Sequence, residues 1–247
     1  MKYIKNIRLL ISAGLLLQGG ICFSYDSDRE NQGQQIQETL KRFNKIPVPE
    51  LIKIVQKGDI TELKSALSSL KANINEVDKW DMTAIMYAVK SGRKDIVKLL
   101  VDNGADPHII TWDDQTALRE AVKEGHKDII KLLLAVDSEF RKHSIDCALI
   151  EAAQKGHEDI VELLLDNGAN PSSEACCNAP NCVPTDTTPL IEAAREGHQK
   201  IVKLLLDKGA NHNIEDVYGN TALQIAKLKG HQEIVQLIDK AINQRKE

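Results

Sequence analysis

Apolar and polar residues fall along this chain in short blocks, and one block returns five times. Lys90-Ser-Gly-Arg-Lys-Asp-Ile-Val-Lys-Leu-Leu comes first, and closely similar runs begin at Lys123, Gln154, Arg195 and Leu228. Their glycines are Gly92, Gly125, Gly156, Gly197 and Gly230, separated by 33, 31, 41 and 33 residues. A recurrence near that length marks a stacked-repeat chain, in which each unit buries its apolar face on its neighbours. Such a chain presents a surface and rarely houses a reaction.

Each unit reads as helix, tight turn, helix, loop. In the stretch from Thr116 to Gly125, Thr116 is placed to cap a helix start by accepting a backbone N–H bond. Leu118, Ala121 and Val122 share one face at helical spacing. Gly125 stops the helix where positive φ is cheap. Asp128 to Leu134 then forms a second helix, apolar at Ile129, Ile130, Leu132, Leu133 and Leu134. Asn103-Gly-Ala-Asp-Pro, Asn167-Gly-Ala-Asn-Pro and Lys208-Gly-Ala-Asn end the second helices and open turns. About ten extended residues lead from there to the next threonine.

On these residues the chain resembles the ankyrin-repeat family. The family's Thr-Pro-Leu-His tetrad is matched by Thr83-Ala-Ile-Met86, Thr116-Ala-Leu-Arg119, Cys147-Ala-Leu-Ile150, Thr188-Pro-Leu-Ile191 and Thr221-Ala-Leu-Gln224. The Gly-His and Gly-Ala-Asp/Asn elements agree at the same offsets. The tetrad histidine is missing from all five units, so the histidine bonds the family often uses there are not expected. The resemblance covers residues 47–244 and implies an all-α solenoid of stacked helix-turn-helix units with extended finger loops.

The chain divides accordingly. Residues 47–247 form the repeat domain, with a degenerate first unit over 47–77 and five repeats over 78–247. Helices are expected over Pro49–Gln56 and Thr61–Leu70, and the last helix, Gln232–Gln244, turns polar as a terminal cap should. Two joints are irregular. Ala135-Val-Asp-Ser-Glu-Phe replaces the glycine pattern and is expected to form a distorted loop, since Asp137 tolerates a left-handed backbone better than most residues. An insertion over 171–187 lengthens the next joint. Long surface insertions cost little, about 0.6 kcal/mol per doubling of length.

The beginning of the chain changes the expected location. Lys2, Lys5 and Arg8 precede an apolar run from Leu9 to Leu17, and Cys22-Phe23-Ser24 offers small residues for cleavage after Ser24. Residues 1–24 therefore read as a signal peptide, and an exported protein of bacterial type is expected, in the periplasm or secreted. Gln18 and Gly19-Gly20 cut the apolar run below the ~20 residues a span needs, against an uncleaved anchor. Bulky Ile21 disfavours lipidation at Cys22. No later segment is apolar enough to cross a membrane. Residues 25–46 read as a polar linker or loose helix. The formal net charge is -4. Three cations leave with the signal, which makes the mature chain more acidic and argues against a nucleic-acid partner.

Candidate chemistry is sparse. His126, His157, His198 and His231 recur once per repeat. Packed helices lie ~8–10 Å apart, too far for equivalent rings to share a metal, so structural roles are expected. Cys176, Cys177 and Cys182 lie in the insertion without the spacing of a zinc site, so a local disulfide is the better reading. Cys147 stands at a tetrad-threonine position and reads as a packed thiol at a helix start. No phosphate loop, nucleophile elbow or metal-bearing helix is present, so no catalytic, cofactor or metal residue is assigned and no cofactor is expected. Charge pairs such as Glu158/Glu162 and Lys127/Lys131 read as solvated outer faces.

The family resemblance places a concave binding surface on the finger loops and the exposed side of the first helices. By position it includes Lys79, Trp80, Met82, Trp112, Asp113, Gln115, Val217, Tyr218 and Asn220. Lys90, Ser91, Lys123, Glu124, Arg195 and Glu196, at the ends of first helices, join it. Tryptophan and tyrosine are frequent binding hot spots; the plainer alternative is that each ring packs on a neighbouring loop. The expectation is a non-enzymatic protein-binding module acting outside the cytoplasm, monomeric before it meets its partner. Two alternatives are a redox- or metal-responsive role for the cysteine insertion and an inhibitor or chaperone of a periplasmic enzyme.

Overall fold

The computed structural model describes residues 49–69, 73–111, 115–136, 141–174 and 187–244. The signal and linker regions, Trp112, Asp113, the joint at 137–140 and Cys176, Cys177 and Cys182 lie outside the described residues.

The described regular elements are helices, arranged in pairs. The leading unit contributes α1 (Glu50–Lys57) and α2 (Ile60–Ser69). Then come α3 (Ala84–Lys90) with α4 (Lys94–Asp102), and α5 (Ala117–Lys123) with α6 (Lys127–Leu134). α7 (Arg141–Lys155) pairs with α8 (Glu158–Asp166), α9 (Pro189–Glu196) with α10 (Gln199–Asp207), and α11 (Ala222–Lys229) with α12 (Gln232–Gln244). Four first helices begin as expected: Thr83, Thr116, Thr188 and Thr221 accept backbone N–H bonds from Met86, Arg119, Ile191 and Gln224. The turn glycines have positive φ, and the residue after each returns its N–H to an alanine carbonyl five back. These closures run from Arg93 to Ala88, His126 to Ala121, His157 to Ala152, His198 to Ala193 and His231 to Ala226.

The pairs stack in two rows. First helices α1, α3, α5, α7, α9 and α11 pack consecutively, and more closely than the second helices do. Side-chain bulk explains the difference. Ala88, Ala121, Ala152, Ala193 and Ala226 recur at one position of the first helices and are all 0% exposed. The second row instead buries Ile96, Leu100, Ile129, Leu133, Ile160, Leu164, Ile201 and Leu205. Small residues in one row let the first helices approach one another more closely than the large residues of the other row allow the second helices to do. The buried residues form one continuous core, against which Leu99, Leu132, Leu163 and Leu204 are half-buried.

The third repeat departs from expectation. α7 starts at Arg141, six residues before Cys147, so Cys147 lies inside a helix and caps nothing. Between Asp137 and Gly156 there is no glycine or proline to interrupt the helix. The residues that would have formed this repeat's finger are helical, and Ser144 Oγ lies 3.2 Å from the capping Thr116 Oγ1 of the preceding repeat.

Lys127 and Glu158 are also more than solvated decoration. Lys127 pairs with Asp159 at 2.9 Å and Glu158 with Lys200 at 3.1 Å, each bond crossing between repeats. Lys94–Asp128 and Lys208–Asp166 cross in the same way. Exposed pairs of this kind contribute at most about 1 kcal/mol each.

Candidate protein-binding flank

The finger loops are built on a repeated backbone device. Asp78 accepts the N–H groups of Trp80 and Met82 on Oδ1, at 2.8 and 3.0 Å. Asp216 accepts those of Tyr218 and Asn220, both at 3.0 Å. In each finger the aspartate's own N–H closes back on the residue before the capping threonine, and Val77–Thr83 and Glu215–Thr221 form isolated antiparallel bridges. The turn ends on a left-handed residue, Gly219 at φ 74 in one finger and Asp81 at φ 58 in the other. Thr111 replaces the aspartate in the second repeat, where its Oγ1 accepts the Gln115 N–H at 2.9 Å. The Trp80 and Tyr218 fingers are thus stapled hairpins whose backbones are held by bonds within the chain.

The two carboxylates have different anchors. Asp78 Oδ2 accepts the Tyr87 hydroxyl at 2.7 Å, from the first helix of its own repeat. Burial, with the Asp78 bond and charge, pushes the Tyr87 phenol well above its ordinary value. Asp216 Oδ2 instead meets Arg195 Nη2 at 3.4 Å, from the preceding repeat. Arg195 also donates to Glu192, which accepts the Thr187 hydroxyl on the same oxygen.

The expected site residues separate into two groups. Trp80, Val217 and Tyr218 are presented to solvent at 41%, 51% and 83% exposure. Lys79 is half-buried, with its ammonium 5.2 Å from the centre of the Trp80 ring. Lys90, Ser91, Lys123, Glu124 and Glu196 are exposed along the ends of the first helices. Lys90 lies 3.8 Å from the buried Glu120 carboxylate, and the Ser91 hydroxyl donates to the Tyr87 carbonyl. Met82, Gln115, Arg195 and Asn220 are half-buried; Met82 packs on the core, and the others bond the fingers.

Sequence reasoning missed the residues that hold this flank. Asp78 and Asp216 sit five before a capping threonine, a shared offset that could have identified them. Arg119 and Glu151 pair between repeats at 3.4 Å. Leu228, 75% exposed, occupies the register of Lys90, Lys123 and Arg195 and adds an apolar side chain near Tyr218 in sequence.

The histidines contribute to stacking. His126, His157, His198 and His231 each lie over the turn glycine of the preceding repeat. His198 Nε2 is 3.1 Å from the Gln154 carbonyl oxygen, and His231 Nε2 is 3.3 Å from that of Arg195. Arg93 occupies the same register. Its guanidinium covers Gly58 and donates to the Val55 carbonyl at 3.0 Å, which ties the degenerate first unit into the stack. Among the described residues no group of three or more His, Cys, Asp or Glu side chains is placed to hold a metal ion. No described helix is long and apolar enough to cross a membrane.

The family model for ankyrin repeats (3 copies) matches residues 51–146, 111–175 and 149–246. The chain therefore belongs to the ankyrin-repeat family, whose fold is typically a non-catalytic scaffold for protein–protein interaction. A solved ankyrin repeat domain from Acinetobacter baumannii is similar with a TM-score of 0.66 and 29% identity, over 77% of this chain and 96% of that one. The solved ankyrin repeat protein EF0377 is similar with a TM-score of 0.68 and 32% identity, over 78% and 98%. Among curated proteins, a 59-residue stretch is 49% identical to the Mus musculus 2-5A-dependent ribonuclease, covering 24% of this chain and 8% of that protein. An 84-residue stretch is 31% identical to the Homo sapiens ankyrin repeat domain-containing protein 49, covering 34% of each. The chain thus matches about a third of one of these curated relatives and less than a tenth of the other.

Proposed function

We propose that this chain is a non-enzymatic module that grips a partner protein with its finger tips and the exposed ends of its first helices, acting outside the cytoplasm after export. The observation that carries the reading is Tyr218. A large aromatic ring stands 83% exposed on a hairpin already fixed by Asp216. A hairpin whose backbone is fixed beforehand loses less freedom on binding, and exposed aromatics are frequent hot spots. Trp80, with Lys79 against its ring, presents a second aromatic on an equivalent finger. Export rests on the charged and apolar pattern of residues 1–24 alone.

The test is affinity capture with the mature chain. Replacing Trp80, Trp112 and Tyr218 together by Ala should remove the captured partner while the helical circular-dichroism signal stays unchanged. Undiminished capture would discard this surface. Fractionation of cells expressing the full chain tests export: a product that keeps residues 1–24 and stays in the cytoplasm would discard the location. Sedimentation before partner addition tests the monomeric state.

A further inference from the structure

We infer that Arg195 is a positioning residue that couples the fourth repeat to the Tyr218 finger of the fifth, and that it does not contact the partner itself. The inference rests on the protein-binding reading for its functional meaning, but its geometry stands alone. Arg195 leaves the last turn of α9 and sits between two carboxylates. One is Glu192 of its own helix, which also accepts the Thr187 hydroxyl at 2.6 Å. The other is Asp216, twenty-one residues ahead, whose Oδ1 holds the Tyr218 and Asn220 amides. Both carboxylates are buried. A planar guanidinium can serve two carboxylates at once, where a point-like ammonium cannot do so with the same geometry.

The contrast with the first finger gives this bond its consequence. Asp78 is anchored by Tyr87 within one repeat, so that finger moves with its own helix pair. Asp216 is anchored across a repeat boundary. His231 reinforces the same boundary, because its Nε2 meets the carbonyl oxygen of Arg195. The Tyr218 tip therefore follows the stacking of the fourth repeat on the fifth, and Arg195 transmits that stacking to the exposed Tyr218 ring.

Amide hydrogen exchange on the full chain tests this without any partner. Arg195→Ala should speed exchange at Tyr218 and Asn220 at least tenfold and leave Trp80 and Met82 within twofold. Arg195→Lys keeps the charge and should give a smaller loss at the same two amides. Unchanged exchange at Tyr218 and Asn220 in both variants would overturn the inference. If Arg195→Ala unfolds the chain, Arg195→Lys decides alone: a local loss supports the coupling, and no loss or a uniform one overturns it. Capture separates positioning from contact. Adding Arg195→Lys to Tyr218→Ala should weaken capture no further than Tyr218→Ala does, because the positioned ring is already gone. An additive further loss would make Arg195 a direct contact, overturning this inference and leaving the protein-binding reading intact. A Tyr218→Ala variant with full capture would count against the binding surface and leave the exchange result unaffected.

Discussion

The imidazole of His198 lies over Gly156 of the preceding repeat, and its Nε2 is 3.1 Å from the Gln154 carbonyl oxygen. A methyl group on Gly156 would stand 2.6 Å from His198 Cε1, inside van der Waals contact. At Gly104 a methyl meets nothing within 4 Å. Both glycines have positive φ, so Gly104→Ala should cost about 1–2 kcal/mol for the left-handed backbone alone. Gly156→Ala should cost that and a further ~1–3 kcal/mol for overpacking. Adding His198→Ala to Gly156→Ala should recover most of the second part, as a urea-unfolding double-mutant cycle would read. Equal costs at the two glycines would show that the ring is not a constraint.

Tyr87→Phe should destabilise the chain by about 1–3 kcal/mol, because Asp78 Oδ2 loses the donor it has at 2.7 Å. The pH sign follows from the raised phenol. Its contribution is full below the unfolded tyrosine value of about 10 and is lost as pH rises through the higher folded value. Alkaline unfolding of wild type and Tyr87→Phe should therefore converge at high pH. A gap that is constant with pH would refute the assignment.

Asp81 holds φ 58 where Gly219 holds φ 74 in the equivalent turn. Asp81→Gly should leave stability within about 0.5 kcal/mol, since relief of left-handed strain offsets the added freedom of the unfolded chain. Asp81→Val should cost about 1–2 kcal/mol, because a branched side chain is disfavoured there. Thermal melts of the two variants give the comparison directly.

The Lys127 ammonium beside Asp159 holds that carboxyl below its ordinary value. A depressed carboxyl stabilises the fold above the unfolded value of about 3.9, and the contribution is lost as pH falls through the folded value. The pair is exposed, so its effect should stay under about 1 kcal/mol. Carboxyl titration by NMR should show Asp159 returning to the ordinary range in Lys127→Met. An Asp159 that stays depressed in Lys127→Met would remove the bridge as the cause.

Tyr218→Ala should change unfolding stability by less than about 0.5 kcal/mol, as expected for a surface substitution away from any packing feature. Leu228→Ala, 75% exposed, should behave alike. Chemical denaturation checks both. A cost above about 1 kcal/mol for either would mean that the side chain packs on the repeat instead of projecting from it.

Much of this architecture was legible from local chemistry. Thr83, Thr116, Thr188 and Thr221 cap the helices where their offset from the glycines put them. Leu99, Leu132, Leu163 and Leu204 turn toward the core as periodicity requires. Cys147 shows where alignment misleads. It keeps the offset of a capping threonine, but the residues before it contain no breaker and the helix runs through it. Arg195 shows a second limit. By position it reads as part of the partner-binding surface, and only the folded register brings Asp216 to it. The same holds for Arg93, whose position gave no hint that it would cover Gly58.

The row of buried alanines has a mechanical consequence. Ala88, Ala121, Ala152, Ala193 and Ala226 are fully buried in the first-helix row, and their small size lets those helices pack closely. A bulkier residue at Ala88, Ala121, Ala152 or Ala193 would separate neighbouring first helices and shift the fingers that follow. The spacing of the Trp80 and Tyr218 fingers therefore rests on buried methyl groups.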